Sequence, residues 1–209
     1  LCTMAPLPSP QGFYPSPVAP PVFSFSPVPV EEVNSVFERC PASAAQGSDD
    51  VPMTVLLALR RPLVSWIAGV ATQIVAEGEW PAEWKKASLI PLWKGKGSTA
   101  VLAHYRPISI LAAVSRVVER TLHKQLGPHL DKHVLPSSQH GFRSGHSCET
   151  ALVSLIDYTA QARGEGDVVL VLKLDLASAF DTLIHERLVG KAEHLAGFSA
   201  SALKLLKSY

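Results

Sequence analysis

Cysteine is scarce in this chain, and neither sign of charge dominates it. Cys2, Cys40 and Cys148 are scattered over 209 residues without a CxxC pair. An odd, dispersed set argues against a disulfide framework and fits reduced thiols inside a cell. Long apolar runs are missing too. Outside the first 30 residues the longest uncharged stretch is residues 62–76, 15 residues interrupted by Ser65, Thr72 and Gln73. That is too short to cross a bilayer. No basic stretch precedes an apolar core, so no secretory signal is expected. What is present is 47% apolar and 18% charged residues. This is the composition of a globular protein with a sizeable core, long enough for one domain or one and a half. No internal repeat is visible. The sequence opens on Leu1, with its first methionine at Met4, and its last residues read as the middle of a helix. The expectation is therefore a chain cut at its C-terminus.

The formal net charge of +1 conceals a segregation. Residues 80–147 hold ten Lys/Arg and three Asp/Glu, a balance of +7, while residues 1–79 balance at −4 and residues 148–209 at −2. A basic middle third is a candidate surface for nucleic acid or a nucleotide triphosphate, or else a solvated charged face. Six of the eight histidines lie in the same stretch. Their spacing matches no zinc-finger pattern, and helix-surface positions are expected for them.

Residues 1–30 carry nine of the 17 prolines and no charge, which predicts an extended, mobile lead-in. Val33, Val36 and Phe37 then share one helical face. Residues 51–77 read as helix with a break at Arg61-Pro62. Residues 87–92 read as a short strand, placed at a sheet edge by Pro91. The Lys94-Gly95-Lys96-Gly97-Ser98 loop lacks the spacing of a Walker-type phosphate loop. Helices are expected over residues 114–126 and 148–161, the second turning Ala151, Leu152, Leu155 and Ile156 inward. Residues 168–174 are nearly all apolar, the pattern of a strand buried on both faces, with a helix following over 178–189. Asp175 stands at the end of that strand. It is either a functional carboxylate or the cap of the next helix.

Three segments, in order, point further. Lys173-Leu174-Asp175-Leu176-Ala177-Ser178-Ala179-Phe180-Asp181 resembles the first catalytic palm motif of reverse transcriptases. Tyr105-Arg106-Pro107-Ile108-Ser109-Ile110-Leu111, followed by Ser115-Arg116-Val117-Val118-Glu119-Arg120, resembles the first fingers motif. Gln139-His140-Gly141-Phe142-Arg143-Ser144-Gly145-His146-Ser147 resembles the second. Their order and spacing are similar to those of non-LTR (LINE-like) retrotransposon reverse transcriptases. Trp84-Lys85 and the run from Pro91 to Gly97 match the upstream segment of that family. The resemblance implies an α+β fold, mostly helical with few strands. It comprises right-hand polymerase fingers plus an incomplete palm. The implied divisions are a Pro-rich lead-in over 1–30, a helical N-terminal extension over 31–97, fingers over 98–166 and the start of a palm over 167–209.

The family copies RNA into DNA, so the resemblance implies an RNA template, a DNA primer, deoxynucleotide triphosphates and two Mg²⁺ ions held by carboxylates. By resemblance Asp175 is the first metal ligand and the backbone carbonyl of Leu176 a further one. Phe180 occupies the steric-gate position. Arg106, Arg116 and Arg143 are nucleotide-binding candidates, because a guanidinium meets phosphate in a bidentate fork. Arg116 stands where the family more often has Lys. Gly141 and Gly145 would let the backbone approach template or nucleotide. Asp181 is assigned no metal. The second palm motif, an aromatic residue followed by two adjacent aspartates, has no counterpart, since the one Asp-Asp pair is Asp49-Asp50, upstream of both fingers motifs. The chain alone is therefore expected not to polymerise. A non-catalytic nucleic-acid-binding remnant and a translated relic are the other readings. No membrane contact is expected. The location is intracellular, with nuclear access implied by the family but no compact basic import signal.

Overall fold

Helical spacing of apolar residues and proline placement account for most elements of the larger unit. The computed structural model describes residues 20–209 except 177, 178 and 181. Two units emerge. The larger is Val22–Pro128 with Phe198–Tyr209; the smaller is His129–Gly197, joined among the described residues by Pro20 and Pro21.

In the larger unit, α1 (Val30–Arg39) buries Val33, Val36 and Phe37, the expected face, and carries Glu31 and Glu32 in its first turn and Arg39 in its last. Those charges complement the helix dipole. α2 (Met53–Ala58) and α3 (Arg60–Glu77) meet at Leu59, two residues before the expected break. Pro62 lies in the first turn of α3, where a missing N–H leaves no helical bond unmade, so it opens the helix instead of ending it. α3 buries Val64, Ile67, Ala68, Ala71 and Ile74 and packs on α1, α2 and α7 (Ala200–Ser208). Arg60 ties α3 to α1 by donating to Asn34 Oδ1 at 2.7 Å and Glu38 Oε1 at 2.8 Å.

β1 (Ala87–Trp93) pairs antiparallel with β2 (Tyr105–Leu111), in a register that sets Pro91 opposite Pro107. The sheet has two strands. Each strand therefore has one outer edge, where a proline leaves no ladder bond broken. α4 (Ala113–His133) outruns the expected 114–126 and passes through Pro128. Its apolar face carries Val117, Val118 and Leu122 into a core shared with α1, α2, α3 and Leu205 of α7. Its residues to Pro128 belong to the larger unit and His129–His133 to the smaller. Gly47 is buried where the loop crosses the end of β2; a Cβ there would lie 2.6 Å from Ala112 N and Leu111 C. Only a residue without Cβ admits that approach.

The first 19 residues of the proline-rich lead-in lie outside the described residues. Residues 22–29 are not loose. Val28 is buried and its N–H donates to Thr72 Oγ1 at 2.9 Å, and the Phe23 ring meets Phe25 edge-on and Phe198 at a tilt, with centroids 5.0 and 5.2 Å away. Their apolar side chains outweigh the missing backbone donors of the prolines.

The smaller unit departs most from expectation. α5 (Cys148–Gly164) starts on a capping box in which Ser147 Oγ accepts from Thr150 N–H and Thr150 Oγ1 accepts from Ser147 N–H. It buries no residue: Leu152, Leu155 and Ile156, expected inward, are exposed. Residues 168–176 form no strand, and Val168 and Leu174 are 94% and 81% exposed. A strand exists only against a neighbour, and the two strands among the described residues pair with each other. The expected helix over 178–189 is instead α6 (His185–His194); residues 177, 178 and 181 lie outside the described residues. So much uncovered leucine and valine predicts association of the chain with itself. Leu170→Lys with Leu172→Lys is expected to lower the sedimentation-measured self-association of the chain at least severalfold. An unchanged mass distribution would count against this.

Candidate functional site

Asp175 stands in the 168–176 segment, exposed, with no hydrogen bond or ion pair to the described residues. Leu176 beside it is exposed as well. Phe180 presents its ring edge-on to Phe142, with centroids 6.0 Å apart and planes at 87°. The contact joins two of the three motifs. Phe142 itself has φ +57°, a left-handed backbone that a bulky residue adopts at a cost of order 1 kcal/mol or more. It is exposed, so burial does not compensate that strain.

The turn that holds Phe142 is knit from its own residues. The Arg143 guanidinium, with its side chain 14% exposed, donates from Nε to Asp131 Oδ1 at 3.0 Å and from Nη1 to the Pro136 carbonyl at 2.9 Å. Longer bonds reach the carbonyls of Gln139 and Asp131. Arg143 therefore fastens residues 136–143 to the last turn of α4. His140 Nδ1 bonds Thr150 Oγ1 at 2.8 Å, and its ring meets His146 at 5.2 Å. Gly145 has φ +72°, which glycine adopts without strain. Around both Gly141 and Gly145 the space a Cβ would enter is open.

The remaining two candidates belong to the larger unit. Arg106, on β2 opposite Leu92, is exposed and unpaired among the described residues. Arg116, on α4, makes only a 3.5 Å bond from Nη2 to the Ala45 carbonyl, and its buried Nε has no acceptor. Asp49 Oδ1 accepts from Val51 N–H in a local turn, a structural use of the Asp-Asp pair.

Sequence reasoning passed over a second polar group in the larger unit. Glu119 accepts from Ser115 Oγ at 3.1 Å and from the Tyr209 hydroxyl at 3.2 Å, at the rim of an apolar cavity of about 310 Å³ walled by Phe25, Trp80, Leu122, Leu126 and Phe198. Burial pushes the Glu119 carboxyl above its usual range, against the opposing pull of these bonds and of Arg116 and Arg120. Burial and the neighbouring carboxylate push the Tyr209 phenol up to about 12. A carboxyl raised on folding favours the folded state most below the unfolded pKa, and that contribution is lost as pH rises through the folded value. Glu119→Gln should therefore flatten the pH dependence of thermal unfolding just above the ordinary carboxylate range. The signal available in sequence was an acid flanked by Arg116 and Arg120 on α4.

The sequence profile of the family described as reverse transcriptase (RNA-dependent DNA polymerase) matches residues 92–206, more than half of the chain. The chain belongs to the reverse transcriptase family. Its relatives are transposon-encoded, of the non-LTR type. It is 29% identical over 184 residues to the probable RNA-directed DNA polymerase from transposon BS of Drosophila melanogaster, covering 88% of this chain and 20% of that protein. It is 30% identical over 190 residues to the one from transposon X-element of the same species, covering 90% and 20%. With the RNA-directed DNA polymerase from mobile element jockey of Drosophila melanogaster the identity is 26% over 185 residues, covering 88% and 20%. The chain thus spans about 20% of the length of the curated relatives it matches. All eight candidate site residues fall inside the matched reverse transcriptase region.

A reverse transcriptase implies a divalent metal cation. Hard cations take about six oxygen ligands. Among the described residues, 168–176 offer one carboxylate, Asp175, and backbone carbonyls. Among the described residues no three His, Cys, Asp or Glu side chains converge to hold a metal ion. The donor chemistry fits such a cation, but the donor count does not close a site. No described helix is long and apolar enough to cross a membrane.

Proposed function

We propose that this chain is the fingers and the beginning of the palm of an RNA-directed DNA polymerase that copies a retrotransposon RNA. The observation that carries the reading is the Phe142–Phe180 contact, through which the 139–147 turn meets the segment bearing Asp175. Asp175 and the Leu176 carbonyl supply ligands for Mg²⁺, and Phe180 screens the sugar of an incoming deoxynucleotide triphosphate. Arg106 and Arg116, both with unengaged donors, suit its phosphates. Arg143 is assigned the same partner by its motif, although its donors now hold the turn. Gly141 and Gly145, open on their Cβ sides, admit the template backbone. The substrates are an RNA template, a DNA primer and the triphosphate, and the working location is intracellular, with access to the nucleus.

With a single carboxylate in place, the 209 residues by themselves do not polymerise. Primer extension on an RNA template should be absent for this chain and present when it is joined in frame to the downstream part of the X-element polymerase. Extension by the chain alone, lost in Asp175→Ala, would overturn the first statement. The incomplete donor set also favours a second reading, a non-catalytic nucleic-acid-binding remnant. Under it the joined protein binds RNA but does not extend a primer.

A further inference from the structure

α1 and α4 are bridged by polar contacts that set cationic donors against neutral acceptors. Arg120 Nη1 donates to Cys40 Sγ at 3.0 Å and Lys124 Nζ to Ser35 Oγ at 2.5 Å, both neutral acceptors. Arg39, in the last turn of α1, makes no ion pair among the described residues. These three residues, with His123 and Ser35, line an open cleft of about 290 Å³ that no carboxylate enters. The volume is roughly ten times the ~30 Å³ share of a water molecule in the liquid. Nearby acids are engaged elsewhere. Glu32 accepts from Gln125, Glu38 from Arg60 and Asn34, and Glu119, which Arg116 and Arg120 attract without an ion-pair contact, accepts from Ser115 and Tyr209.

Arg39 alone is explained by the α1 dipole. The α4 row is not. Arg116, Arg120 and Lys124 recur every four residues, and like charges at that spacing weaken a helix. An anion in the cleft would offset the repulsion between Arg120 and Lys124, the part of the row that lines it. Successive cations lie about one helical turn apart, ~5.4 Å, so a chain of phosphates suits them better than one isolated ion. Arginine forks add bidentate geometry.

We propose that the cleft between α1 and α4 is a phosphate-backbone site for single-stranded polynucleotide, formed by Arg39, Arg120 and Lys124. The occupant's identity rests on the polymerase reading; the place rests on the cleft. No Phe, Tyr or Trp ring lines it as a platform for bases, so the cationic side chains hold the phosphates and sequence preference is weak.

The test is anisotropy of a fluorescein-labelled oligouridylate with the full chain, over a salt titration. Arg39→Gln with Lys124→Gln is expected to weaken binding about tenfold or more and to lower the log–log salt slope by about 1.4, the loss of two single-strand phosphate contacts. Lys191→Gln with Lys207→Gln, an equal charge change on α6 and α7, should leave both unchanged. Arg120→Lys keeps the charge and loses the fork, so it should weaken binding at unchanged slope. This milder variant decides the matter if the double one fails to fold. Wild-type binding by the cleft variants, or an equal loss in the α6/α7 control, overturns the proposal. So does inorganic phosphate that displaces the RNA at millimolar concentration, which would mark a free-anion site. None of these outcomes touches the reverse transcriptase reading, which Asp175 and primer extension test separately.

Discussion

Exchanging Asp175 for asparagine is expected to lower RNA-templated primer extension by roughly 10³-fold, in a protein that carries this segment joined to the downstream part of a relative's polymerase. Asparagine preserves the volume and one oxygen but removes the charge that a hard divalent cation requires. The size follows from losing several kcal/mol of charge stabilisation, at 1.36 kcal/mol for about each tenfold in rate. Structure sharpens the test, because Asp175 is exposed and makes no bond to the described residues. The thermal midpoint should therefore stay where it is while activity falls. Asp157→Asn, an exposed carboxylate on α5, is the matched control. A loss below tenfold, or an equal loss at Asp157, would remove Asp175 from the proposed site.

The second large effect concerns stability. Phe37 is 1% exposed, on the face of α1 that packs into the shared core. Phe37→Ala should cost about 3–5 kcal/mol, the transfer of the ring plus the cavity it leaves. Domains of this size are stable by about 5–15 kcal/mol, so the larger unit would be close to unfolding. Urea denaturation followed by tryptophan fluorescence reads that unit selectively, since Trp66, Trp80, Trp84 and Trp93 all belong to it. Phe142→Ala, which removes an exposed ring, should leave the same midpoint in place. A shift of under 1 kcal/mol for Phe37→Ala, on the order of a surface substitution, would show that α1 is not part of the cooperative core.

The larger unit was legible because its helices carry their own period. Val33, Val36 and Phe37 of α1 and Val117, Val118 and Leu122 of α4 lie on the expected faces. Such a stripe has one way to be buried, whatever it meets. Pro91 likewise declared an edge. The smaller unit was less legible for a matching reason. An apolar run such as residues 168–174 states that it must be covered, not by what, and a strand without a partner has no ladder to form. The inward face expected of α5 is uncovered on the same principle. Arg143 shows the limit at a single residue. Its motif suggested a phosphate partner, while its guanidinium is engaged by Asp131 and by the carbonyls of its own turn.

The sequence by itself determined the family, the helical register of the larger unit and the basic middle third. These are properties of residue type and spacing, and they survive any arrangement in space. Tertiary structure alone decided that Phe142 meets Phe180, that Glu119 is buried against Tyr209, and that Arg39 joins Arg120 and Lys124 around one cleft. Those pairs are 38, 90 and about 80 residues apart in the chain. Local periodicity carries no information over such separations; packing of the elements against one another creates it.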